Sequence, residues 1–474
     1  MSDDSDWLAA ELEALRTPPR HGWPPADEIR RRGALRHRRR RIGLASGLSA
    51  IALAALLVAF VAVPVRSGPP LPVARRLAGP DGSAHLVVST TQATTAGPRT
   101  VSELATSEQA FALALTRQEL SGTPQSNVVL SPMSADIDLS MLELGAAGST
   151  EEEIATALHS SGLSAGENAA AWRALVSSEL TGEPPGELSL ANSLWVQRHL
   201  HVETGFLRSD AADFGNDTYQ VNFGAPTATK AINAWVAKQT AGRITTLFTT
   251  GELSATTVVV LANALHFHAA WAKAHQFTVM NQPFVTANGT TVSVPTLNGY
   301  RDQLAYATTP SYQAVQIPFS TGRFAALVVA PKHGTLSGWL AGLTPDRLAA
   351  VVGSLSMGTV YLTMPELSLS SRPLLNAALS AMGMAGAFRS ADLAPMLGST
   401  VGTNVYVTKV QQADTLEVTT GGVDAAASTG TGVTFDSVGP TAPIGFDHPY
   451  LFLLRDIKTG MILFSSVVND PAGP

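Results

Sequence analysis

Two short clusters in this chain hold residue types that do chemistry. Gly162-Leu-Ser-Ala-Gly fits the spacing in which a serine nucleophile is raised on a sharp turn between a strand and a helix. A helical pattern precedes Ser164 here and polar residues follow it, so the plain reading is a Ser/Gly loop. His266-Phe-His268 sets two imidazoles on one side of a strand, which begins a metal site if a third ligand joins them. His275 is close in sequence, but no telling spacing supports it, and two partly exposed strand histidines are the better reading. The chain has no cysteine, which excludes disulfides, thiolate zinc sites and cysteine nucleophiles. It also lacks a phosphate-binding glycine loop, a dinucleotide-binding glycine pattern after a strand, and a defensible carboxylate pair. No metal, no cofactor and no turnover catalysis are expected.

A third stretch, GGVDAAASTGTGVTFDS (Gly421–Ser437), is informative because it is plain. It lies between two strand-like runs, Val405–Val418 and Tyr450–Val468, with no proline and one charge before Asp436. Read with the period of a strand, Val423, Ala425, Ala427, Thr429, Thr431, Val433 and Phe435 share one face. That set is small, mildly apolar and rich in β-branched residues. Asp424, Ala426, Ser428, Gly430, Gly432, Thr434 and Asp436 share the other face, with both acids and both glycines. Such a register suits a strand buried on one side only. Proline would remove a ladder donor, and bulk would slow entry between packed strands; Phe435 is the first large residue. Gly422 supplies a hinge that changes φ and ψ widely. A flexible linker needs none of this alternation.

The elements that position these residues read as one mixed α+β domain, residues 101–474. Helical periodicity runs over Val101–Leu120, with Thr106 or Ser107 as candidate caps. Asn127-Val-Val-Leu is a short buried strand, and Ser131-Pro-Met-Ser opens a helix closed by glycine. Ser149-Thr-Glu-Glu-Glu-Ile predicts a capping-box start for the next helix. Further strands are predicted over Leu188–Val196, Thr257–Phe267, Tyr312–Pro331 and Gly358–Leu369, with Asn288-Gly289 marking a tight hairpin. Helical runs at Thr229–Gln239 and Arg372–Met382 interrupt them, and no internal repeat is present. Hydrophobic residues are 45% of the chain, enough for a large core.

The N-terminal part is of another kind. Residues 1–41 hold ten arginines against seven acids, about +3, which leaves about −9 of the net −6 for the rest. Eight of those arginines fall in Arg30–Arg41, directly before Ile42–Val65, 24 residues without a charge. That length spans a bilayer core as a helix, and the basic flank predicts a cytoplasmic N-terminus with residues 66–474 outside. A cleaved signal peptide is the rival, though a 41-residue leader is long for one. Nucleic-acid binding by the arginine run is the weaker reading, and none is expected. Residues 1–41 read as a basic cytoplasmic tail, 42–65 as the transmembrane helix and 66–100 as an extracellular, proline-marked spacer. Abundant alanine, and arginine over lysine, hint at a GC-rich bacterial source.

Seven separate stretches, in order, resemble the serpin family. They are NVVLSPMS (127–134), LELGAAGSTEEEI (142–154), INAWVAKQTAGRI (232–244), LANALHFHAAW (261–271), MPEL (364–367), LSAMGMAGAF (379–388) and FDHPYLFLLRD (446–456). The resemblance covers about residues 101–470. It implies an α+β serpin fold: large β-sheets, about eight or nine helices and an exposed reactive-centre loop, here preceded by one transmembrane helix.

By that resemblance the plain stretch belongs to the reactive-centre loop, 421–445. A target serine protease would attack it, form an acyl-enzyme, and be trapped covalently when the cleaved loop inserts into the main sheet. The protein is then a single-use inhibitor and not an enzyme, a monomer displayed at the cell membrane. Gly422, Val423, Asp424, Ala425, Ala426, Ala427 and Ser428 match the loop hinge. Family spacing from the hinge puts the scissile bond at Asp436–Ser437, spacing counted back from Phe446 puts it two residues later, and Phe435 is the alternative specificity residue. Ser131, Ser134 and Asn263 match the polar cluster under the opening sheet, with Trp271 nearby. Gln412 stands where the family has a histidine; an amide does not titrate, so the cluster is expected to hold without sensing pH. Thr420 replaces the usual acid before the hinge, and Val423 replaces a usual Thr or Ser. The competing readings are a non-inhibitory serpin-fold binding module and a transmembrane signalling protein working through residues 1–41.

Overall fold

The computed structural model describes residues 74–78, 84–88, 96–176, 188–215, 217–240, 242–272, 277–402, 405–423 and 442–473, all within the unit Pro72–Pro474. The predicted tail 1–41 and span Ile42–Val65 lie outside them. Among the described residues no helix is long and apolar enough to cross a membrane.

The first described elements are β1 (Ala74–Ala78) and β2 (Ala84–Val88), an antiparallel pair. They fall inside the stretch 66–100 that the sequence presents as a spacer, so that reading is corrected. α1 (Pro98–Gly122) begins with its proline in the first turn, where a missing N–H costs nothing. It starts before Val101 and encloses Thr106 and Ser107, whose hydroxyls turn back onto the Ser102 and Glu103 carbonyls. Those residues are interior back-bonders and not caps.

β3 (Val128–Leu130) leads into α2 (Pro132–Leu144), which is buried on nearly every side from Pro132 to Glu143. α3 (Gly148–Ala157) opens before Ser149 and has no side-chain cap. The capping box is instead at α4 (Ala165–Leu175): Ser164 Oγ accepts the Glu167 N–H at 3.3 Å, and the Glu167 carboxylate accepts the Ser164 N–H at 2.9 Å. Thus Gly162-Leu-Ser-Ala-Gly is a helix start, with its serine occupied as a cap.

The chain continues through β4 (Leu188–Gln197), α5 (Thr204–Asp213), β5 (Asp217–Val221), α6 (Pro226–Gln239), β6 (Val259–Phe267), β7 (Ala269–Ala270), β8 (Thr278–Val285) and β9 (Thr291–Thr308). Asn288-Gly289 makes the β8–β9 turn, with Gly289 at φ +83° and the Asn288 side chain accepting the Thr290 N–H at 2.9 Å. Then follow β10 (Tyr312–Pro318), β11 (Phe324–Pro331), α7 (Leu336–Ala341), α8 (Pro345–Gly353), β12 (Ser356–Pro365), β13 (Leu367–Ser371), α9 (Asn376–Leu379) with a π-turn over Ser380–Met384, and α10 (Ala394–Leu397). β14 (Asp414–Val418), β15 (Gly422–Val423), β16 (Ala442–Gly445), β17 (Tyr450–Asp456) and β18 (Ile462–Val468) complete it. The predicted α+β class holds, with ten α-helical segments among the described residues, three of them six residues or shorter.

The strands form three sheets. One runs β1-β2-β5-β4-β6 and a second runs β13-β14-β15-β7. β7 continues β6 past His268, so the two lie end to end as one large sheet with β15 at the seam. The third, of nine strands, runs β16-β12-β9-β10-β11-β17-β18-β3, with β8 on β9. β11, β17 and β18 are buried throughout, and apolar residues from them, α1 and α2 make the core on which the large sheet rests.

Candidate functional site

β14 ends at Val418 and the chain reverses at once. Thr419 and Gly422 exchange backbone hydrogen bonds of 2.9 and 3.3 Å, closing a turn over Thr420 and Gly421. The two-residue strand β15 then runs antiparallel to both neighbours: Val423 stands opposite Val418 on β14 and opposite Ala269 on β7. Gly422 has φ +147°, and a Cβ built there would lie 2.0 Å from the Ala269 carbonyl oxygen. Only glycine fits that approach.

Trp271 fixes the turn from the other side. Its backbone N–H donates to Gly421 O and its indole Nε1–H to Thr419 O, both at 3.0 Å. The ring is buried, stacked on Phe319 at 4.9 Å and set edge-on to Phe277 at 6.2 Å. Trp271 therefore serves the hinge, and among the described residues it has no bond to Ser131, Ser134 or Gln412, with which the resemblance grouped it.

Below Val423, β6 and β14 part. A cavity of about 240 Å³ opens there, with Phe267 on one wall, Leu416 and Glu417 on the other and Val423 at the top. Thr240 and Ile244, in the connection after α6, also line it. Arg243 in that connection reaches Glu417 on β14 at 3.8 Å, so the connection spans the gap. The ion pair is half exposed, and such pairs contribute about 0–1 kcal/mol.

The polar cluster sits lower, where the run into β14 crosses the start of α2. Gln412 Nε2 donates to Ser131 O at 2.7 Å, and Ser131 Oγ lies 3.0 Å from Ser134 Oγ and 3.1 Å from Leu463 O. Ser131, Ser134 and Gln412 are thus brought together as expected. Asn263 is placed by its backbone on β6 opposite Asn192, and its side chain lies outside the described residues. The cluster has a further member, Asp414, whose buried carboxyl accepts the Ser131 backbone N–H. Burial pushes that carboxyl up to about 8, and the Ser131 amide offsets part of the rise. The cluster thus includes a titratable carboxyl beside Gln412 that the sequence reading did not name. Counting alternate residues back from buried Val418 through Leu416 would have found Asp414 on the inner face.

α2 carries three more buried carboxyls. Asp136 accepts from Ser140 Oγ and Trp172 Nε1, each at 3.1 Å, and Glu143 accepts from Asn168 Nδ2 at 2.8 Å. Burial raises both to about 7, and it raises Asp138 as well as Glu108 of α1 further.

The remaining calls divide simply. Asp424, Ala425, Ala426, Ala427, Ser428, Phe435, Asp436, Ser437 and His275 lie outside the described residues, as does the side chain of His266. His268 is an exposed residue between β6 and β7, and no group of His, Asp or Glu among the described residues is arranged to hold a metal.

Comparison with known proteins covers most of this chain. The family model described as "Serpin (serine protease inhibitor)" matches residues 106–471. Serpin-Z1C of Triticum aestivum is 28% identical over 380 residues, 76% of this chain and 94% of its own length. Among solved structures, the thermophilic serpin tengpin in its native state superposes with a TM-score of 0.71 at 21% identity, covering 81% of this chain and 97% of that one. Thyroxine-binding globulin in complex with thyroxine gives 0.68 at 27% identity, covering 78% and 99%. Most members of this family are protease inhibitors, and serine proteases are their targets. With three-quarters of its length matched and the fold in agreement, the chain belongs to the serpin family.

Proposed function

We propose that the protein inhibits serine proteases by covalent trapping, its reactive-centre loop entering the large sheet as a new strand after cleavage. The observation that carries this reading is β15. Gly422 and Val423 already stand as a strand between β14 and β7, antiparallel to both, at the head of an open gap. A chain continuing in that register has its partners fixed. Ala425 would face Phe267 and Leu416, Ala427 would face Leu265 and Asp414, and Thr429 would face Asn263 and Gln412. Val423 is buried, so its odd-numbered successors would point inward, and these are the small, β-branched set.

On this reading the scissile bond is Asp436–Ser437, and an Asp-preferring protease with a cationic pocket fits it. A protease reading Phe435 would be chymotrypsin- or subtilisin-like. The target's serine and oxyanion hole supply the covalent chemistry; the loop supplies the ester-linked acyl group. We further propose that Ile42–Val65 anchors the inhibitor in a membrane, with residues 1–41 cytoplasmic and the serpin domain outside. The hint of a bacterial source belongs to the same reading.

The test is a panel of chymotrypsin-, subtilisin-, elastase- and Asp-specific proteases mixed with the protein and run on denaturing gels. A stable band at the summed mass is expected, with the released fragment naming the scissile residue. The likeness to thyroxine-binding globulin favours one second reading, a non-inhibitory binding module. That reading predicts clean cleavage, no complex, and an unchanged melt of the cut protein; a large rise in melting temperature after cleavage refutes it.

A further inference from the structure

The large sheet does not end at β5. Beyond it lie β2 and then β1, a hairpin supplied by residues ahead of α1. The inhibitor reading uses neither strand.

β5 has β4 on one side, parallel from Asp217 to Val221. On its other side it meets β2 through three antiparallel pairs: Ala84 with Gln220, His85 with Tyr219, and Leu86 with Thr218. Its own side chains are already fixed in the body. Thr218 and Gln220 are buried, Tyr219 stacks on Trp195 at 4.4 Å, and Gln220 Nε2 donates to Leu200 O at 2.7 Å. β5 is thus held by β4 and by these contacts, independently of β2. With β2 gone it becomes an edge strand whose backbone groups on that side are open to another chain.

The hairpin is built the other way. β1 and β2 pair with each other at five positions, from Ala74 opposite Val88 to Ala78 opposite Ala84, and with β5 at only three. Most of its ladder is its own, so it can leave β5 as a unit. It joins α1 through residues 89–97, STTQATTAG, which are small or polar and uncharged. From Val88 to Pro98 the chain extends at most about 34 Å. That reach allows β2 to stand on β5 of its own chain or of another.

Charge decides which edge a second copy would use. β1 is outermost among the described residues, and Arg75 and Arg76 are adjacent in it. A twofold pairing of β1 with β1 about its central residue would set Arg76 against itself, and like charges directly opposite destabilise a strand pair. The three β2–β5 pairs contain no lysine, arginine, aspartate or glutamate. The joint that accepts a strand is therefore β2–β5, and the strand that fits it is Ala84–Leu86 itself.

We propose that β5 is a strand-acceptor edge, and that two copies of this chain dimerise by exchanging their β1–β2 hairpins. Each β2 then ladders with β5 of the other copy in the register it has within one chain. The contacts exchanged are the contacts already made, so the dimer needs no new complementary surface and its population is set by concentration. The closed form is the monomer expected from the sequence. The exchange does not rest on the trapping reading, since the reactive-centre loop takes no part in it.

The test uses the full chain, whose lack of cysteine gives a clean background. Leu86 and Thr218 stand directly opposite in an antiparallel pair, a separation that a disulfide spans. A chain carrying both Leu86→Cys and Thr218→Cys should close within itself when oxidised dilute. The deciding sample mixes chains carrying Leu86→Cys alone with chains carrying Thr218→Cys alone, concentrated before oxidation. A disulfide-linked heterodimer should form at about tenfold or more the yield of Leu86→Cys mixed with Lys332→Cys, an exposed position past β11 that reports chance collision. Wild-type dimer measured by light scattering should grow with concentration, and the locked double variant should stay monomeric over the same range. A heterodimer at the collision level overturns the exchange. A locked chain that dimerises as the wild type does places the interface elsewhere and also overturns it. A double variant that forms no bond within the chain overturns the β2–β5 register on which the proposal stands.

Discussion

Gly422→Ala is the sharpest perturbation of the hinge. A Cβ there would stand 2.0 Å from Ala269 O, 2.7 Å from Ala270 Cα and 2.9 Å from Ala269 C, where real Cβ contacts do not fall below 3.0 Å. β15 and β7 would have to part by about 1 Å, an overpacking that costs roughly 1–3 kcal/mol. An alanine at φ +147° adds a strain of roughly 1–3 kcal/mol. Against this the hinge holds, besides its ladder pairing to β14 and β7, three turn and strand-end backbone bonds, worth about 1 kcal/mol each, and one buried valine at about 1.5–3 kcal/mol. The two sums are of equal size, so the hinge strand should leave the sheet while the rest of the fold stays intact. Hydrogen exchange reads this at the Trp271 amide, which donates to Gly421 O. Its protection should fall at least about thirtyfold, since each 1.4 kcal/mol is a factor of about ten. Trp271 protection that survives the substitution would refute the register given to Gly422. On the trapping reading, the same variant should be cut by the target without forming a complex, because its hinge cannot re-enter past the Ala269 carbonyl.

Trp271→Ala should cost about 3–5 kcal/mol in chemical unfolding, through loss of the Phe319 and Phe277 contacts, and should loosen Thr419–Val423 in exchange. Trp271→Phe should recover most of that stability but not the bond to Thr419 O, leaving about 1 kcal/mol missing; a variant equal to wild type would discount that bond. Asp136→Asn addresses the acids of α2. Asp136 binds its proton more tightly folded, at about 7, than unfolded, at 3.8. Between those values the folded state holds more protons, so the wild type loses stability as pH rises from about 4 to about 7. The amide should therefore stabilise by roughly 2–4 kcal/mol at pH 7–8 and by nothing near pH 4, as read from denaturant melts across pH. A uniform offset at all pH values would show that the carboxyl is not protonated in the fold.

Much of the hinge was legible before any coordinates. The glycine at 422 and the inward parity of Val423 follow from period 2 and from the absence of proline, both local properties of the chain. The Asn288-Gly289 turn and the proline starts of α1 and α2 were legible for the same reason. Asp414 was legible only as a parity position counted back from Val418 and Leu416; its partner was not, because Ser131 lies far away in sequence. Val405–Val418 reads as one strand, yet only Asp414–Val418 ladders with β13; earlier residues make single bridges, Val405 with Ala391 and Gln411 with Leu374. Trp271 was placed with the polar cluster because both lie near the same strands. The five residues of β14, Asp414–Val418, about 16 Å of extended chain, separate them. The capping signals failed at Thr106, Ser107 and Ser149 and succeeded unannounced at Ser164, since hydroxyls serve caps and interior carbonyls alike. β1 and β2 were hidden because glycine and proline around them read as linker, while β5 offered an edge to pair with.

On the trapping reading, these parts explain how a sheet can stay closed and still accept a strand. What holds the gap shut is modest: one half-exposed ion pair between Arg243 and Glu417, the two-residue strand β15, and the bonds of Gln412 and Asp414 to Ser131. Each is worth on the order of 1 kcal/mol, more for a fully buried and satisfied hydrogen bond. The strand that would fill the gap is of another size. Running from Val423 toward Phe435, it would pair on two edges, and its bonds at about 1 kcal/mol each would amount to the order of 10 kcal/mol before any burial is counted. The closed state therefore needs no strained backbone to be the less stable one; it only needs the strand to be missing. On the trapping reading, early entry is prevented by the chain's connection to β16, which begins at Ala442, until a protease cuts between. In that arrangement the plainness of Gly421–Ser437 is a requirement: small residues on the inner face let Ala427 and Thr429 pass Asp414 and Gln412, and the first bulky side chain, Phe435, comes after those two residues have been passed.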